Sequence, residues 1–504
     1  MHSESLIFAF WAPELQALLG LLSLLIYFIY FESQIYNEKL TLIRPIVNST
    51  QTGVGPRLIG KHHLIWCIVW CLLAAFTFYS KPFDILYASG LFLSNQLNQF
   101  LDVFLFLYAA LCLLLSSNWL KYASINCIEY GIFITLILLG QHFILMSTDL
   151  MSFYLSLEIQ SFSFVILCSL NTKSLYSVEA GMKYFLLSAF SSCFLLLGIC
   201  FIYSTAGVTQ CNNIADLLNQ STCLQENLLF KTGVWLVSLT LLWKLAAAPF
   251  HLWAADVYAG VWSSVTLLIS TLPKWAIFGF WVQQWHVIFS FCYPSLLMGF
   301  SGLCLILGAL GALGQVNMKR LLAYSSVANI GFLLMPLCGT NQSYAALWTH
   351  MIIYFVTSLT IWGLLMSPFY RSSRLSTPQW TWDFGVVFQT QPMLASALVI
   401  AMISLAGLPP IAGFLGKWMI FWSAVNSSQY VILAFALLST LISSIYYLRL
   451  IRIAYVDKPL NWSYFGEINS WSAYILCLSL AFLCVTLFYS SPLVLMTQYL
   501  SLLV

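Results

Sequence analysis

Four lysines and one carboxylate interrupt the apolar stretches of this 504-residue chain, and these are the residues best suited to chemistry. Lys183, Lys244, Lys274, Lys417 and Glu158 lie inside such stretches, whereas the other fifteen of the nineteen Lys and Arg residues lie in polar gaps. Placing one ammonium at the centre of a bilayer costs about 2.5–3.5 kcal/mol, so four would cost on the order of 10 kcal/mol. We therefore expect the chain to use these groups to move charge.

An ammonium in a low-dielectric site can hold and release a proton. Burial favours the neutral amine, and a nearby carboxylate such as Glu158 favours the ammonium. A change in the distance between the two groups therefore loads or releases the proton. A row of such groups with water between them can pass protons onward. This transfer needs no bound redox group.

The composition excludes an ordinary soluble protein. The chain is 61% hydrophobic and 7% charged, whereas roughly a quarter of the residues in a soluble domain are charged. The N-terminal residues, with Glu4 and Glu14, favour a retained span over a signal or transit peptide. The fourteen cysteines lie mostly in apolar runs without metal-ligand spacing, so we expect no metal site. Cys211 and Cys223 share one polar loop, where free thiols are favoured over a disulfide.

Runs of about 20 apolar residues predict an all-α polytopic membrane protein with fourteen transmembrane helices. The predicted spans are 11–31, 62–79, 100–117, 129–148, 150–170, 180–203, 233–262, 263–283, 294–314, 321–338, 345–366, 392–423, 431–452 and 471–491. With this count, loops after odd-numbered spans hold thirteen Lys and Arg residues and loops after even-numbered spans hold two. The positive-inside rule then places both termini opposite the positive loops.

Two predicted spans are broken in the middle. The seventh contains Pro249 after Lys244, and the twelfth contains a group of helix breakers before Lys417, namely Gly407, Pro409 and Pro410. Proline prevents helical hydrogen bonding, and unwound backbone at membrane depth is tolerated only where it lines a cavity. The alternative is that the prolines merely kink packed helices and that lysines near span ends, such as Lys183 and Lys417, reach the interface.

The two broken spans lie five spans apart, as expected of inverted repeats around an ion path. We therefore predict a first five-helix repeat over residues 129–283 (spans 4–8, broken near 245–253) and a second over 294–452 (spans 9–13, broken near 406–417). Residues 1–128 then form N-terminal spans 1–3, and residues 453–504 form C-terminal span 14.

Several motifs occur in order along the chain. They are Tyr154-Leu-Ser-Leu-Glu158-Ile-Gln-Ser161, Glu179-Ala-Gly-Met-Lys183, Lys244 with Pro249-Phe-His251-Leu-Trp253, Asp256-Val-Tyr258, Pro273-Lys274, Lys319-Arg320-Leu-Leu-Ala-Tyr324-Ser325-Ser326, and Gly407-Leu-Pro409-Pro410 through Gly416-Lys417. Together they resemble the antiporter-like membrane subunits of respiratory complex I. The Asp256 motif and the lysine at position 417 resemble the subunit 2 branch of NADH:ubiquinone oxidoreductase, and the Glu158 motif resembles its mitochondrial forms.

The resemblance implies a proton pathway through the buried charges. Glu158 and Lys244 match the charge pair whose separation gates the pathway, and Lys183 matches a modulating lysine beside it. Lys274 matches the central relay, and Lys417 matches the site where protons leave or join. His251 matches a histidine after the broken helix, for which a cap on the break is an equally open role.

The chain departs from the family pattern at two places, of which one is Ala254-Ala255, where relatives usually have a proline before the aspartate, and the other is Asn329. Asn329 stands where many relatives carry a histidine, and it cannot titrate. We expect either water ordered by Asn329 and Tyr324, or His350 in the next span, to bridge Lys274 and Lys417.

The resemblance also implies a setting for the chain. It would be a subunit of H⁺-translocating NADH:ubiquinone reductase in the mitochondrial inner membrane, with positive loops in the matrix and termini in the intermembrane space. It would carry no catalytic residues, no complete active site and no cofactor, because NADH, FMN, iron–sulfur clusters and ubiquinone would bind to other subunits. Its partners would be membrane-arm subunits including antiporter-like neighbours, accessory subunits and lipid such as cardiolipin, with no nucleic acid. An Mrp-type cation/proton antiporter and a non-pumping structural membrane subunit remain as alternatives.

Overall fold

A computed structural model gives the fold. It describes residues 18–23, 25–26, 55–79, 85–122, 128–172, 174–220, 225–293, 295–339, 343–371, 374–457 and 463–504. Most of the predicted first span and Cys223 lie outside these residues, so neither that span nor the Cys211–Cys223 alternatives can be compared with the structure.

Helices dominate the described part of the chain. In the first half they are α1 (Gly55–Tyr79), α2 (Gln96–Tyr122), α3 (Ile128–Met146), α4 (Leu150–Ser169), α5 (Leu175–Ala206), α6 (Cys211–Gln220), α7 (Leu228–Lys244), α8 (Leu252–Gly260), α9 (Ser263–Phe280) and α10 (His286–Cys292). In the second half they are α11 (Leu296–Leu313), α12 (Met318–Leu334), α13 (Tyr344–Leu365), α14 (Pro392–Ala406), α15 (Ala412–Asn426), α16 (Tyr430–Tyr455), α17 (Ser470–Phe488) and α18 (Ser491–Leu502). A π-helical turn, Trp281–Trp285, joins α9 to α10.

The chain is a membrane protein with multiple apolar spans. In the described residues, ten helices are long and apolar enough to cross a membrane. A helix suits this environment because it satisfies its backbone hydrogen bonds internally, where no water is present to do so. Predicted spans 7 and 12 each form a pair of shorter helices, because α7 ends at Lys244 before Pro249 and α14 ends at Ala406 before Pro409.

The centre of the bundle is α9. Every residue from Ser263 to Phe280 is buried, and the helix packs against α2, α3 and α13. The indole Nε1 of Trp275 donates to the backbone oxygen of Leu101 at 3.0 Å, which ties α9 to α2. The outer helices α5, α16 and α17 instead expose many large apolar side chains, as expected of surfaces that meet lipid or other subunits.

Short strands cover the ends of the bundle. Strands β1 (Ile85–Tyr87) and β2 (Phe92–Ser94) form an antiparallel hairpin. Strand β3 (Phe369–Arg371) pairs with both β4 (Arg374–Ser376) and β5 (Ser463–Phe465) in the order β4-β3-β5. The Arg371 guanidinium pairs with Asp383, whose carboxylate also accepts two backbone N–H groups of the adjoining loop.

Candidate functional site

Lys244 is the last residue of α7, beside the first helix break. Its Nζ is buried and has no hydrogen-bond partner among the described residues, so it does not contact the Glu158 carboxylate. A cavity of about 10 Å³ lies between α4 and α7, with Gln160, Ser161 and Lys244 in its wall. This is about the space that one water molecule needs. Since Ser161 also lies 3.4 Å from the Glu158 carboxylate, one water could connect the two charges.

The first break turns sharply at Ala246, which adopts a left-handed φ of 61°. His251 precedes α8, but its side chain makes no capping hydrogen bond to that helix. The imidazole is buried, and its centroid lies 5.9 Å from that of Tyr324 on α12. The histidine therefore faces the second half of the bundle.

Lys274 lies in the middle of the fully buried helix α9. Its Nζ donates to the hydroxyl of Tyr354 on α13 at 3.1 Å and lies 5.0 Å from the centroid of the same ring. The two contacts hold the Lys274 side chain against Tyr354. Sequence analysis did not identify Tyr354, although its place one turn after His350 in an apolar run was an available signal.

A second cavity lies next to Tyr354. Its volume is about 20 Å³, and its wall includes four serines and Leu405 of α14; the lining residues are Ser270, Leu322, Ser325, Ser326, Tyr354, Ser358, Ile361, Trp362 and Leu405. Hydroxyl groups can donate and accept hydrogen bonds at once, so they suit a short chain of water. Tyr354 joins this cavity to Lys274, and Leu405 joins it to Lys417.

Lys417 closes the end of α14 from within α15. Its Nζ donates to the backbone oxygens of Leu405 at 2.9 Å and of Ala406 at 2.8 Å. These are terminal carbonyls that the helix itself leaves without partners, and the negative end of the helix dipole attracts a cation. The turn that follows depends on Gly407 at φ 77°. Lys417 is buried and therefore does not reach the interface within this chain.

Of the three residues expected to bridge Lys274 and Lys417, Tyr324 is half-buried and the other two are internal. Asn329 and His350 are buried, and the His350 Nδ1 packs against Gly416, the residue before Lys417. His350 therefore does not face lipid. The cavity with hydroxyl groups in its wall is lined by other residues, so the structure offers a second bridge beside the expected ones.

Lys183 pairs with carboxylates other than Glu158. Its Nζ contacts Glu179 at 2.8 Å and Asp256 on α8 at 2.9 Å, and its side chain is 41% exposed. Arg320 on α12 approaches the same Asp256 carboxylate at 3.5 Å. This partly exposed cluster joins α5, α8 and α12, whereas Glu158 makes no contact with Lys183.

Sequence analysis did not identify several buried ionisable residues, among them Lys319, Asp102 and His142. Lys319, expected in a polar gap, is 8% exposed, and its Nζ donates to the backbone oxygen of Val261 after the last residue of α8 at 2.6 Å. Asp102 and His142, on α2 and α3, form a pair at 3.0 Å. Glu158 is therefore not the only carboxylate within the apolar spans, and acidic residues inside the predicted third span were an available signal.

The sequence matches a protein family over residues 147–443, and that family is described as NADH:quinone oxidoreductase/Mrp antiporter, transmembrane. The chain is 32% identical over 422 residues to NADH-ubiquinone oxidoreductase chain 2 of Marchantia polymorpha, covering 81% of this chain and 83% of the relative. It is 35% identical over 407 residues to NADH-quinone oxidoreductase subunit N of Pelagibacter ubique, covering 79% of this chain and 84% of the relative.

The fold is similar to that of a chain in respiratory complex I from Thermus thermophilus. The TM-score is 0.74 at 23% identity, and the alignment covers 94% of this chain and 98% of the other. At this identity the likeness concerns the fold alone. The family match spans more than half of the chain, and both relatives are at least 30% identical over most of their length. The chain belongs to the family of antiporter-like membrane subunits of NADH:quinone oxidoreductases and Mrp antiporters.

Proposed function

We propose that this chain is a proton-translocating subunit of the membrane arm of respiratory complex I, of the subunit 2 type. The observation that carries the proposal is the arrangement of Lys274, Tyr354 and Lys417 around the 20 Å³ cavity with hydroxyl groups in its wall. The buried amino groups of Lys274 on α9 and Lys417 on α15 each contact a residue that lines this cavity. A purely structural core would gain little from such groups, because each costs desolvation energy.

The proposed pathway uses the gap between Glu158 and Lys244 as its gate. Approach of the carboxylate favours the Lys244 ammonium, and withdrawal favours release of its proton. The proton then passes to Lys274. From Lys274 the Tyr354 hydroxyl and water beside the serines lead to Lys417, with His350 and Asn329 as further support for this last step.

Two other residues of the proposed pathway lie at its edge. His251 contacts Tyr324, which suits a group that relays protons between the two halves. Lys183 would adjust the gate from a distance through α8, because its partner Asp256 lies on the helix that follows the first break.

We further propose that the chain crosses the membrane fourteen times, with the inverted repeats over 129–283 and 294–452. The breaks after Lys244 and Ala406 support this symmetry, because each is a gap between two helices with an intramembrane lysine beside it. In the proposed orientation the positive loops face the matrix of the mitochondrion, and both termini face the intermembrane space. Plant relatives named as chain 2 support the mitochondrial setting, whereas the bacterial relative fits an equivalent place in a bacterial membrane.

The driving force would come from other subunits. Electron transfer from NADH through FMN and iron–sulfur clusters to ubiquinone would take place there, and this chain would contribute the proton step. Its exposed apolar helices α5, α16 and α17 suit contacts with membrane-arm neighbours, accessory subunits and lipids such as cardiolipin.

The proposal is tested by replacing Lys274 with Met in the assembled complex. The reconstituted complex is given NADH and a quinone in liposomes, and protons moved per two electrons are measured with an internal pH probe. We expect a lower ratio for Lys274→Met and an unchanged ratio for Lys231→Met, a control lysine on α7 outside the row. An unchanged ratio in fully assembled Lys274→Met would instead favour a non-pumping structural subunit.

The second candidate is an Mrp-type cation/proton antiporter subunit, because the matched family includes both groups. Both candidates would use the same lysine row. Purification from native membranes separates them, since a complex I subunit is expected to co-purify with flavin and iron–sulfur clusters and an Mrp subunit is not.

A further inference from the structure

A buried acid–base pair lies outside the lysine row. The Nδ1 of His142 lies 3.0 Å from Oδ2 of Asp102, and the two side chains are 0% and 3% exposed. They lie on α3 and α2, which pack against each other and against α1 and α9. Nothing in the pathway proposed above uses either residue.

The walls around the pair are largely aromatic. The His142 ring lies 4.3 Å from the Phe78 ring of α1 and 5.5 Å from the Phe143 ring, measured between centroids. The helices α4 and α17 also pack against α3 and α2. The other ionisable side chains on the described parts of α1, α2, α3, α4, α9 and α17 are Cys67, Cys71, Tyr79, Tyr108, Cys112, Glu129, Tyr130, Tyr154, Glu158, Cys168, Lys274, Tyr474, Cys477 and Cys484. Apart from the pair itself, the Asp, Glu and Lys residues of this set are Glu129 at the far end of α3, Glu158 on α4 and Lys274 on α9.

Stability alone is a weak reason for such a pair. Removing two charges from water costs several kcal/mol per ion, and apolar replacements of a buried pair are often neutral or stabilising. Ionisable residues inside membrane spans more often serve proton relays. An aspartate and a neutral histidine in contact carry a net charge of −1. Uptake of one proton gives a neutral pair in which that proton lies between the carboxylate and the imidazole, and its release restores the charge.

Buried glutamines lie beside the pair in sequence, at Gln141, and in the wall of the Lys244 cavity, at Gln160. Gln141, the residue before His142, is fully buried, and both of its amide atoms have no partner among the described residues. Leaving such atoms unpaired in the core is unfavourable, so their surroundings are expected to hold water. The adjacent Gly140 packs directly on Gln160 of α4, where a Cβ would lie 3.0 Å from the Gln160 backbone nitrogen. Gln160 in turn lines the Lys244 cavity.

The pair lies near one end of the bundle. Asp102 is about two turns from the start of α2, and His142 is about one turn from the end of α3. The β1–β2 hairpin covers this end, because Thr148 donates from its backbone to Leu91 at 3.1 Å and from its hydroxyl to Gly90 at 2.7 Å. In the orientation proposed above, this end faces the intermembrane space.

We propose that Asp102 and His142 form a proton-holding site beneath the β1–β2 hairpin, which exchanges protons with the Lys244 cavity through Gln141, Gln160 and water. The site rests on the proposed proton translocation and extends it to the N-terminal helices. Its ligand is a proton, and its position places it between the lysine row and the covered end of the bundle.

The test uses the reconstituted complex and the ratio of protons moved to electrons transferred. We expect Asp102→Asn and His142→Gln each to lower the ratio, and Asp102→Glu to retain it. The matched control is Asp149→Asn, since Asp149 is a nearly buried carboxylate at the same end whose role is to cap α4 at the Met151 N–H. That variant is expected to keep the ratio even if it lowers thermal stability.

A structural role would reduce the amount of assembled complex without changing the ratio. If a single variant fails to assemble, the double variant Asp102→Leu/His142→Phe removes both charges together and fills the space. A normal ratio in any assembled variant that lacks the pair would overturn the inference.

Lys274→Met measured in parallel separates this inference from the proposed function. A lower ratio for Lys274→Met with a normal ratio for Asp102→Asn rejects this site only. Normal ratios for both variants reject proton translocation by this chain.

Discussion

Lys417 Nζ lies 2.8 Å from the backbone oxygen of Ala406, the last residue of the helix before the second break. The lysine thereby occupies the free end of one half-helix while its own backbone belongs to the other. Any motion between α14 and α15 must lengthen this contact or carry the ammonium along. The end of α14, the break and the Lys417 ammonium are therefore expected to move together as one unit.

Gly407→Ala is expected to disturb this unit. A Cβ at position 407 would lie 2.5 Å from Cδ of Lys417, and the φ of 77° disfavours any side chain. We expect a loss of about 1–3 kcal/mol in stability and a lower proton-to-electron ratio. The thermal midpoint of the purified complex and the liposome assay measure the two effects. Gly299→Ala is the control, because nothing lies within 4 Å of its Cβ position; equal behaviour of the two variants would contradict the steric argument.

Tyr354→Phe is expected to slow proton transfer without loss of assembly. The substitution removes the hydroxyl that accepts the hydrogen bond from Lys274. Hydrogen bonds to charged groups contribute about 1.5–3 kcal/mol, which corresponds to a rate change of tenfold or more. Coupled NADH oxidation in sealed liposomes measures the rate. The control on the same helix is Tyr344→Phe, whose buried hydroxyl has no partner in the described part of the chain; a similar loss in both variants would argue against a special role for Tyr354.

Lys319→Met is expected to destabilise the second half of the first broken helix. The Lys319 ammonium is the partner of the Val261 carbonyl oxygen at the C-terminal end of α8, and its removal should cost about 1–3 kcal/mol. The adjacent Arg320→Met should cost less than about 1 kcal/mol, because the Arg320 side chain is 48% exposed and its ion pair is long. Thermal unfolding of the two assembled complexes compares them, and a larger effect for Arg320 would refute this ranking.

Asp256→Asn is expected to have only a small effect on stability. Asp256 is 43% exposed, and exposed ion pairs contribute about 0–1 kcal/mol, less at high salt. We therefore expect the thermal midpoints of Asp256→Asn and the unchanged complex to converge as salt is raised. A large difference that persists at high salt would show that the cluster with Lys183 is a structural centre.

Much of the fold follows from local signals. Long apolar runs predict the helices, and Pro249, Gly407 and Pro409 mark the two breaks because each removes or redirects a backbone hydrogen bond. The lysines at 244, 274 and 417 are also recognisable from the sequence, because a charged group in an apolar run is costly and is rarely kept without a function.

The missed residues depend on contacts between helices. Lys319 lies near the start of α12, where the sequence predicts a cation at the membrane interface. It is buried only because α12 packs against the end of α8. Tyr354 and Lys274 are eighty positions apart in sequence. The pair of Asp102 and His142 requires α2 beside α3 at one particular rotation, which no periodicity in the sequence specifies.

The most direct measurement for the central claim is an experimental map of the assembled complex at a resolution that shows ordered water. We predict water in the cavity beside Ser326 and Tyr354. This water would contact Tyr354, the hydrogen-bond partner of Lys274, at one end and the Leu405 carbonyl oxygen at the other. Dry, tightly packed protein between Lys274 and Lys417 in every state of the working complex would contradict proton passage along this row.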